Sequence, residues 1–177
     1  MKNGIFTTVE DTELRGLLSR LKEAGFSDSH ISVLVPHSTE PKDLSLQQDV
    51  RHGAVTGGIV GILAAEFSTV GTLMLAGVGS FLVAGPLLIA LSGAAVGGAA
   101  VGGVIGGLAA GTGYFAKIVG IPKSVVDQCE TELKQRRGLV LVEYDSEAEK
   151  RHAWKVFTDA GVSRIYETEG ARESGAA

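Results

Sequence analysis

The sequence predicts an α+β protein in which a small domain is divided into two halves by a long, apolar, helical segment. Three observations lead to this prediction. Two flanks of mixed sequence each show a strand–helix–strand pattern, and Glu66 is the only charged residue across residues 53–116 between them. Small residues also recur every four positions within that segment. A chain of 177 residues is long enough for one small domain and one such specialised segment.

The first flank, residues 1–37, begins with a β-branched and aromatic strand over residues 4–9. A helix follows, because leucines recur at helical spacing at Leu14, Leu17, Leu18 and Leu21. Gly25 stands where a left-handed residue commonly ends a helix. Residues 31–35 then alternate with the period of two expected of a second strand.

The second flank, residues 138–168, repeats this order. A strand is predicted over residues 139–144, with Asp145 or Ser146 as the N-cap of the next helix. The apolar face of that helix comprises Ala153, Trp154, Phe157 and Ala160. Gly161 ends the helix, and a last strand is predicted over residues 162–167.

The two flanks align with one another, since Leu21, Ala24 and Gly25 fall on Phe157, Ala160 and Gly161. Two β-α-β units in one chain predict a ferredoxin-like β-α-β-β-α-β sandwich, and two unrelated units are the alternative. Neither half alone buries enough surface to be stable. If the halves join, both ends of the intervening segment emerge on the same side of any membrane. The segment then either crosses the membrane an even number of times or enters it and returns to the same side.

The intervening segment, residues 53–116, follows a polar linker over residues 38–52. Pro86 is suited to the first turn of a helix, and only glycine interrupts the sequence from there to about residue 114. Residues 53–84 are predicted to form two half-length helices, which together make the first arm of a hairpin. The longer helix from Pro86 makes the returning arm. Glycines cost helix stability in water but allow two helix backbones to approach closely. We therefore predict a glycine-zipper hairpin whose packing residues are Gly93, Gly97, Gly98, Gly102, Gly103, Gly106, Gly107 and Gly111.

Glu66 interrupts the first arm of this predicted hairpin. A carboxylate buried in lipid is costly, so Glu66 is a candidate intramembrane carboxylate only if it is paired or protonated. The alternative, which we favour, is a hinge position exposed to water or to lipid headgroups.

An amphipathic connecting helix is predicted within residues 117–137, beginning near Pro122, with Cys129 on its apolar side. Arg51 before the segment and Lys117 after it place positive charge at both ends. The positive-inside rule then favours both flanks in the cytoplasm. Residues 169–177 are small and polar and read as a disordered tail.

Composition and motifs exclude several classes of function. A formal net charge of -4 argues against nucleic-acid binding, which requires a basic surface. Cys129 is the only cysteine, so an intramolecular disulfide and a cysteine-based zinc cage are excluded. We find no nucleophile elbow, no phosphate-binding loop and no metal-ligand spacing, and the histidines are scattered at His30, His37, His52 and His152. We therefore predict no catalytic, cofactor or metal site, and we expect Cys129 to be buried and inert.

The sequence resembles a bacterial family of general stress, heat-induced or low-temperature-induced proteins. The resemblance lies in EAGFSDSHISVLV, in the stretch from AGVGSFLVAGPLLIALSG through the small-residue ladder to GIPKSVV, and in RGLVLVEYD. It covers residues 4–168 and implies stress-linked expression and membrane association, with no catalytic residue to carry over. Lys123 and Ser124 depart from the family, whose members usually have an acidic turn at that point.

These observations together predict a non-enzymatic homo-oligomer in the bacterial inner membrane, with both flanks cytoplasmic and a structural or envelope-protective role. Membrane lipid is the expected partner. One alternative is a soluble, cytoplasmic, self-assembling scaffold whose hairpins bury one another. Another is a regulator whose ferredoxin-like domain senses a small molecule that the sequence does not specify.

Overall fold

The computed structural model describes residues 3–36, 59–94, 100–101, 104–110, 112–162 and 164–168. The predicted linker 38–52 and tail 169–177 lie outside the described residues. The strands are β1 (Gly4–Val9), β2 (Ile31–Pro36), β3 (Val70–Leu75), β4 (Gly79–Ala84), β5 (Ala100–Val101), β6 (Val104–Ala110), β7 (Gly138–Glu143) and β8 (Tyr166–Glu167). The helices are α1 (Asp11–Glu23), α2 (Ile59–Glu66), α3 (Pro86–Ala94), α4 (Thr112–Val119), α5 (Val126–Lys134) and α6 (Glu147–Asp159). The predicted α+β class is confirmed.

The strands form one sheet in the order β5-β6-β3-β4-β2-β7-β1-β8. Each pair of neighbours in the part β3-β4-β2-β7-β1-β8 is antiparallel. Strand β6 pairs with β3 in parallel. Strand β7 of the second flank lies between β1 and β2 of the first, with Phe6 opposite Leu141 and Val33 opposite Val140. The two flanks are therefore joined through the centre of the sheet.

The central strands are buried on both faces of the sheet, because helices cover each face. The first face, covered by α1, α2 and α6, includes Ile5, Val33, Leu82 and Val140. The second face, covered by α3, α4 and α5, includes Phe6, Leu34, Phe81, Leu139 and Leu141. Neighbouring residues of a strand thus point into different clusters, which explains why these strands read as continuous apolar runs.

Local capping fixes the ends of the two flanking helices. The Glu13 carboxylate accepts the Glu10 N–H at 3.0 Å at the start of α1. At the start of α6 the Ser146 hydroxyl accepts the Glu149 N–H at 3.2 Å, so Ser146 is the N-cap. Gly25 and Gly161 follow the two helices with φ of 92° and 77°, as the aligned glycines predict.

Trp154 departs from the predicted core of α6. Its side chain is 41% exposed, whereas Ala153 and Phe157 on the same helix are fully buried. The alignment of the two flanks places Trp154 on a buried leucine of α1. The buried face of α6 is therefore formed by Ala153, Val156 and Phe157.

The prediction that the intervening segment is helical throughout is wrong for β3, β4 and β6. Strands β3 and β4 form an antiparallel hairpin, and β4 extends the sheet by pairing with β2. Gly77 and Gly79 have φ of 78° and 140° at the turn, a conformation that a helix excludes. The β-branched and aromatic residues of β4 favour a strand, and pairing with β2 buries them on both faces.

The helix predicted from Pro86 to about residue 114 begins at Pro86 but ends at Ala94. Gly93 lies in α3, whereas Gly106 and Gly107 lie in strand β6. Gly97, Gly98, Gly102, Gly103 and Gly111 lie outside the described residues. Glycine has low helix propensity, so a strand that gains hydrogen bonds from β3 can displace the helix here. Among the described helices, none combines the length and apolar character that a membrane crossing requires.

The connecting segment contains a turn and a short helix. After α4, Gly120 adopts a φ of 77°, and α5 begins at Val126, a few residues later than predicted. Cys129 and Leu133 are buried against the second face, while Lys134 is exposed. The helix therefore turns Cys129 and Leu133 toward the sheet and Lys134 toward solvent.

Candidate functional site at the two ends of the apolar segment

Glu66, the only charged residue of residues 53–116, is the last residue of α2 and lies against α1 of the first flank. The Lys22 ammonium lies 2.5 Å from Oε2 of Glu66 and donates to its backbone carbonyl at 3.0 Å. A second carboxylate, that of Asp28, lies 2.9 Å from the same nitrogen. We call Lys22, Asp28, Glu66 and the adjacent Phe67 the Lys22 clamp. It binds the C-terminal end of α2 to the flanking domain.

The Lys22 clamp is also an apolar contact. The Lys22 ammonium lies 5.7 Å from the centroid of the Phe67 ring, and a cation at this distance is attracted to the face of an aromatic ring. Phe67 and Leu63 are buried in the cluster of the first face. Partial burial lowers the pKa of Lys22, but hydrogen bonds to Glu66 and Asp28 outweigh this effect and raise the pKa above its ordinary value. Lys22 therefore stays charged at neutral pH.

Apolar burial contributes more than charge to the position of α2. The Lys22 and Glu66 side chains are 29% and 37% exposed, and exposed ion pairs contribute about 0–1 kcal/mol. Burial of an aliphatic or aromatic side chain such as Leu63 or Phe67 contributes roughly 1.5–3 kcal/mol. Within the described residues, the Lys22 clamp is the polar attachment of this helix.

A second polar cluster attaches the segment where it returns to the flanks. Glu132 of α5 is only 9% exposed. Its carboxylate accepts hydrogen bonds from Gln128 at 3.0 Å, from Arg164 at 2.8 Å and from the Thr8 hydroxyl of β1. We call Thr8, Gln128, Glu132 and Arg164 the Glu132 anchor. It joins α5 to the central strand β1 and to the residues that lead into β8.

A shallow cleft lies beside the Glu132 anchor, with a volume of about 290 Å³. It is lined by Glu10, Asp11, Thr12, Gln135, Arg136 and Arg137. Arg137 donates to the Glu10 carboxylate at 3.3 Å and to the Thr8 carbonyl at 3.1 Å. Because carboxylates of the cleft lie beside its guanidinium groups, it presents no net positive surface to an anionic ligand.

The remaining reactive side chains occupy ordinary structural positions. Cys129 is 1% exposed, and burial, with a smaller effect of the Glu132 charge, raises the pKa of its thiol to about 11. The predicted burial of Cys129 is confirmed, and a thiol that stays protonated at neutral pH is a poor nucleophile. His152 stacks on Phe26 with 5.6 Å between ring centroids, and His30 lies 3.8 Å from the Asp145 carboxylate. Within the described residues no group of side chains is arranged to hold a metal ion.

The structure places the Glu66 carboxylate at a partly exposed position beside Lys22. Sequence reasoning missed Lys22 and Glu132. The signal for Glu132 was available, because it lies three residues after Cys129 and so falls on the apolar side of the predicted helix. Lys22 had no such signal, since its position in the last turn of α1 is typical of a solvated lysine.

A comparison of the chain with family models, with curated proteins and with solved structures finds no match.

Proposed function

We propose that this chain is a non-enzymatic, self-associating protein whose glycine-rich segment contacts further copies of the chain. The flanks form a split ferredoxin-like domain in this proposal, with β1-α1-β2 and β7-α6-β8 as its halves. The order β2-β7-β1-β8 supports it, because the first strand of each half lies at the centre and the second strands lie outside. The intervening segment extends this domain beyond β2.

The observation that carries the proposal is the character of the sheet edge at β6. Strand β5 pairs with β6 only at Val104 and Ile105, and within the described ranges no strand covers the rest of that edge. Residues 87–116 contain neither a charged residue nor a proline. Proteins commonly use charges and prolines to prevent strands of two molecules from pairing at an open edge. An edge without them favours pairing with a second copy.

Several described ion pairs support a structural role for the charged side chains. Glu132 binds Arg164, and Glu167 binds both Lys150 and the Tyr144 hydroxyl. These bonds lie within the second flank or join it to α5. The non-enzymatic reading rests on this use of the charged groups and on the buried, protonated Cys129.

A charged substitution at the proposed edge tests self-association. We expect Gly107→Lys in β6 to shift the chain from oligomer to monomer, because a lysine at an edge disfavours pairing between molecules. Gly113→Lys in α4 is the matched control, since a side chain at Gly113 meets no atom within 4 Å. Native mass spectrometry and light scattering measure the mass of each variant. A wild-type chain that is already monomeric, with the same mass as the Gly107→Lys variant, would contradict the proposal.

Membrane association is a second candidate, and exposed apolar side chains favour it. Ile89 on α3 is 73% exposed and Met74 on β3 is 50% exposed, and both belong to the uncharged segment. The structural or envelope-protective role predicted from the sequence belongs to this candidate. Alkaline carbonate washing of membranes from expressing cells tests it, with Ile89→Ser expected to reduce retention and Trp154→Ser, on the flanking domain, as control. Release of the wild-type chain by the wash would reject insertion into lipid.

A further inference from the structure

We propose that α2 is a releasable lid on the first face of the sheet, held by the Lys22 clamp, and that its release promotes association with a second copy. This inference rests on the proposed self-association and adds a means of regulating it. The Lys22 ammonium binds the carboxylate and the carbonyl of the last residue of α2. One side chain therefore makes both polar contacts to the end of the helix, beside the apolar contacts of Leu63 and Phe67.

The two attachments of the segment differ in how firmly they hold. Glu132 is almost fully buried, and two of its three donors, Thr8 and Arg164, lie outside α5. Separating α5 from β1 would break both bonds and leave the buried Thr8 hydroxyl without its acceptor. Lys22 and Glu66 are both partly exposed, and water can replace their contacts as the helix leaves. Opening therefore occurs at α2, while the return through α5 stays in place.

Release of α2 uncovers an apolar strip of the sheet. Leu63 and Phe67 belong to the same buried cluster as Leu82 and Ala84 of β4. The strip continues toward β3, where Met74 is already 50% exposed.

A second copy fits this strip because the strip is continuous with the proposed association edge. Strands β4, β3 and β6 are neighbours in the sheet, so the uncovered surface and the open edge of β6 lie on adjacent strands. Glu66 is the only charge in residues 53–116, and it leaves the strip with α2. The remaining surface suits an identical apolar surface better than a charged partner.

Hydrogen exchange of the full-length chain, followed by mass spectrometry, tests the lid. We expect Lys22→Met to accelerate exchange in peptides covering residues 62–67 by up to about fivefold, the factor that corresponds to the upper contribution of an exposed ion pair. Lys155→Met removes the exposed pair of α6 with Asp159, at 2.8 Å, and is the matched control. The charge-swapped double variant Lys22→Glu with Glu66→Lys should restore slow exchange in part.

Native mass spectrometry of the same variants tests the regulation. We expect the oligomeric fraction to rise for Lys22→Met, to fall back toward wild type for the charge swap, and to be unchanged for Lys155→Met. Unchanged exchange in Lys22→Met overturns the lid even if the wild-type chain is oligomeric. Faster exchange without a change in oligomeric fraction overturns the regulation. A chain that is monomeric in every variant overturns the proposed self-association as well, while the exchange data still report on the lid separately.

Discussion

Glu132 and Lys22 show how the surroundings of one charged residue decide its contribution to stability. Glu132 is nearly inaccessible to water, so its carboxylate depends on the hydrogen bonds from Gln128, Arg164 and Thr8. The clamp formed by Lys22 remains partly exposed, and water can replace its partners. Removing the partners of a buried charge is costly, whereas removing the partner of a partly exposed charge costs little.

Glu132→Ala should therefore lower the free energy of unfolding by roughly 2 kcal/mol, because the buried Thr8 hydroxyl loses its acceptor and Arg164 loses its partner. Glu130→Ala on the same helix removes the more exposed pair with Lys134, at 2.7 Å, and should cost no more than about 0.5 kcal/mol. Urea unfolding followed by circular dichroism measures both values. Equal losses for the two variants would show that the Glu132 anchor contributes no more than a surface pair.

Cys129 predicts a stability change at alkaline pH. Its folded pKa of about 11 lies above the ordinary value of 9.0, because burial disfavours the thiolate. The protonated thiol is thus the form that the fold favours. Its contribution is complete below pH 9 and is lost as the pH rises from about 9 to about 11.

The wild-type chain should therefore lose more stability over this range than Cys129→Ala, by on the order of 2 kcal/mol. Comparing the two chains removes the contributions of lysines and tyrosines, which titrate in the same range. Urea midpoints at pH 8 and pH 11 provide the measurement. Parallel pH profiles for the two chains would mean that Cys129 is accessible to water in the folded state.

At the scale of elements, the junction between β4 and α3 depends on a glycine. Gly85 has a φ of 82°, and a Cβ added there would lie 2.0 Å from the carbonyl oxygen of Ile31. The close approach allows β4 to pair with β2 and α3 to start at once, with the Leu87 N–H donating to the Ser32 hydroxyl at 2.9 Å. A side chain at this position would push the β3-β4 hairpin away from β2.

Gly85→Ala should lower the free energy of unfolding by roughly 3 kcal/mol or more, through the steric clash and the left-handed backbone together. Gly16→Ala in α1 is the matched control, because its added Cβ meets no atom within 4 Å. A helical glycine in open space costs conformational entropy, so this control should gain roughly 0.5–1 kcal/mol. Thermal unfolding of both variants measures the two changes in stability, which should have opposite signs. A Gly85→Ala variant as stable as the wild type would show that the junction can move.

The flanking elements could be predicted from the sequence because local signals agree there. The leucines of α1, the cap at Ser146 and the glycines after both helices each indicate the same boundaries. In the intervening segment these signals conflict. Glycine and alanine spacing indicates close helix packing, whereas the β4 residues Phe81, Leu82 and Val83 fit a strand equally well. Pairing with β2, a contact far away in the sequence, decides the outcome, and local spacing cannot report it.

At the scale of the whole molecule, the intervening segment completes the fold of the flanks. The second face of the sheet is covered by α3 and α4 and by α5, which follows the segment. The β3-β4 hairpin extends the edge at β2. The flanks without the segment would keep α1 and α6 on the first face but leave the second face open. The apolar segment is therefore part of the core as well as the proposed site of association.

A chain without the segment tests this interdependence. The pairing of Leu34 with Leu139 brings the end of β2 next to the start of β7, so an Asn-Gly turn can replace residues 37–136 without changing the register. We expect this short chain to retain α+β circular dichroism but to associate through its uncovered second face, on which Leu34, Leu139 and Leu141 are fully buried in the intact protein. Replacing these three leucines by threonine should give a monomer, since threonine suits an exposed strand. Sedimentation velocity separates the outcomes. A short chain that is folded and monomeric with its leucines intact would show that the flanks do not need the segment.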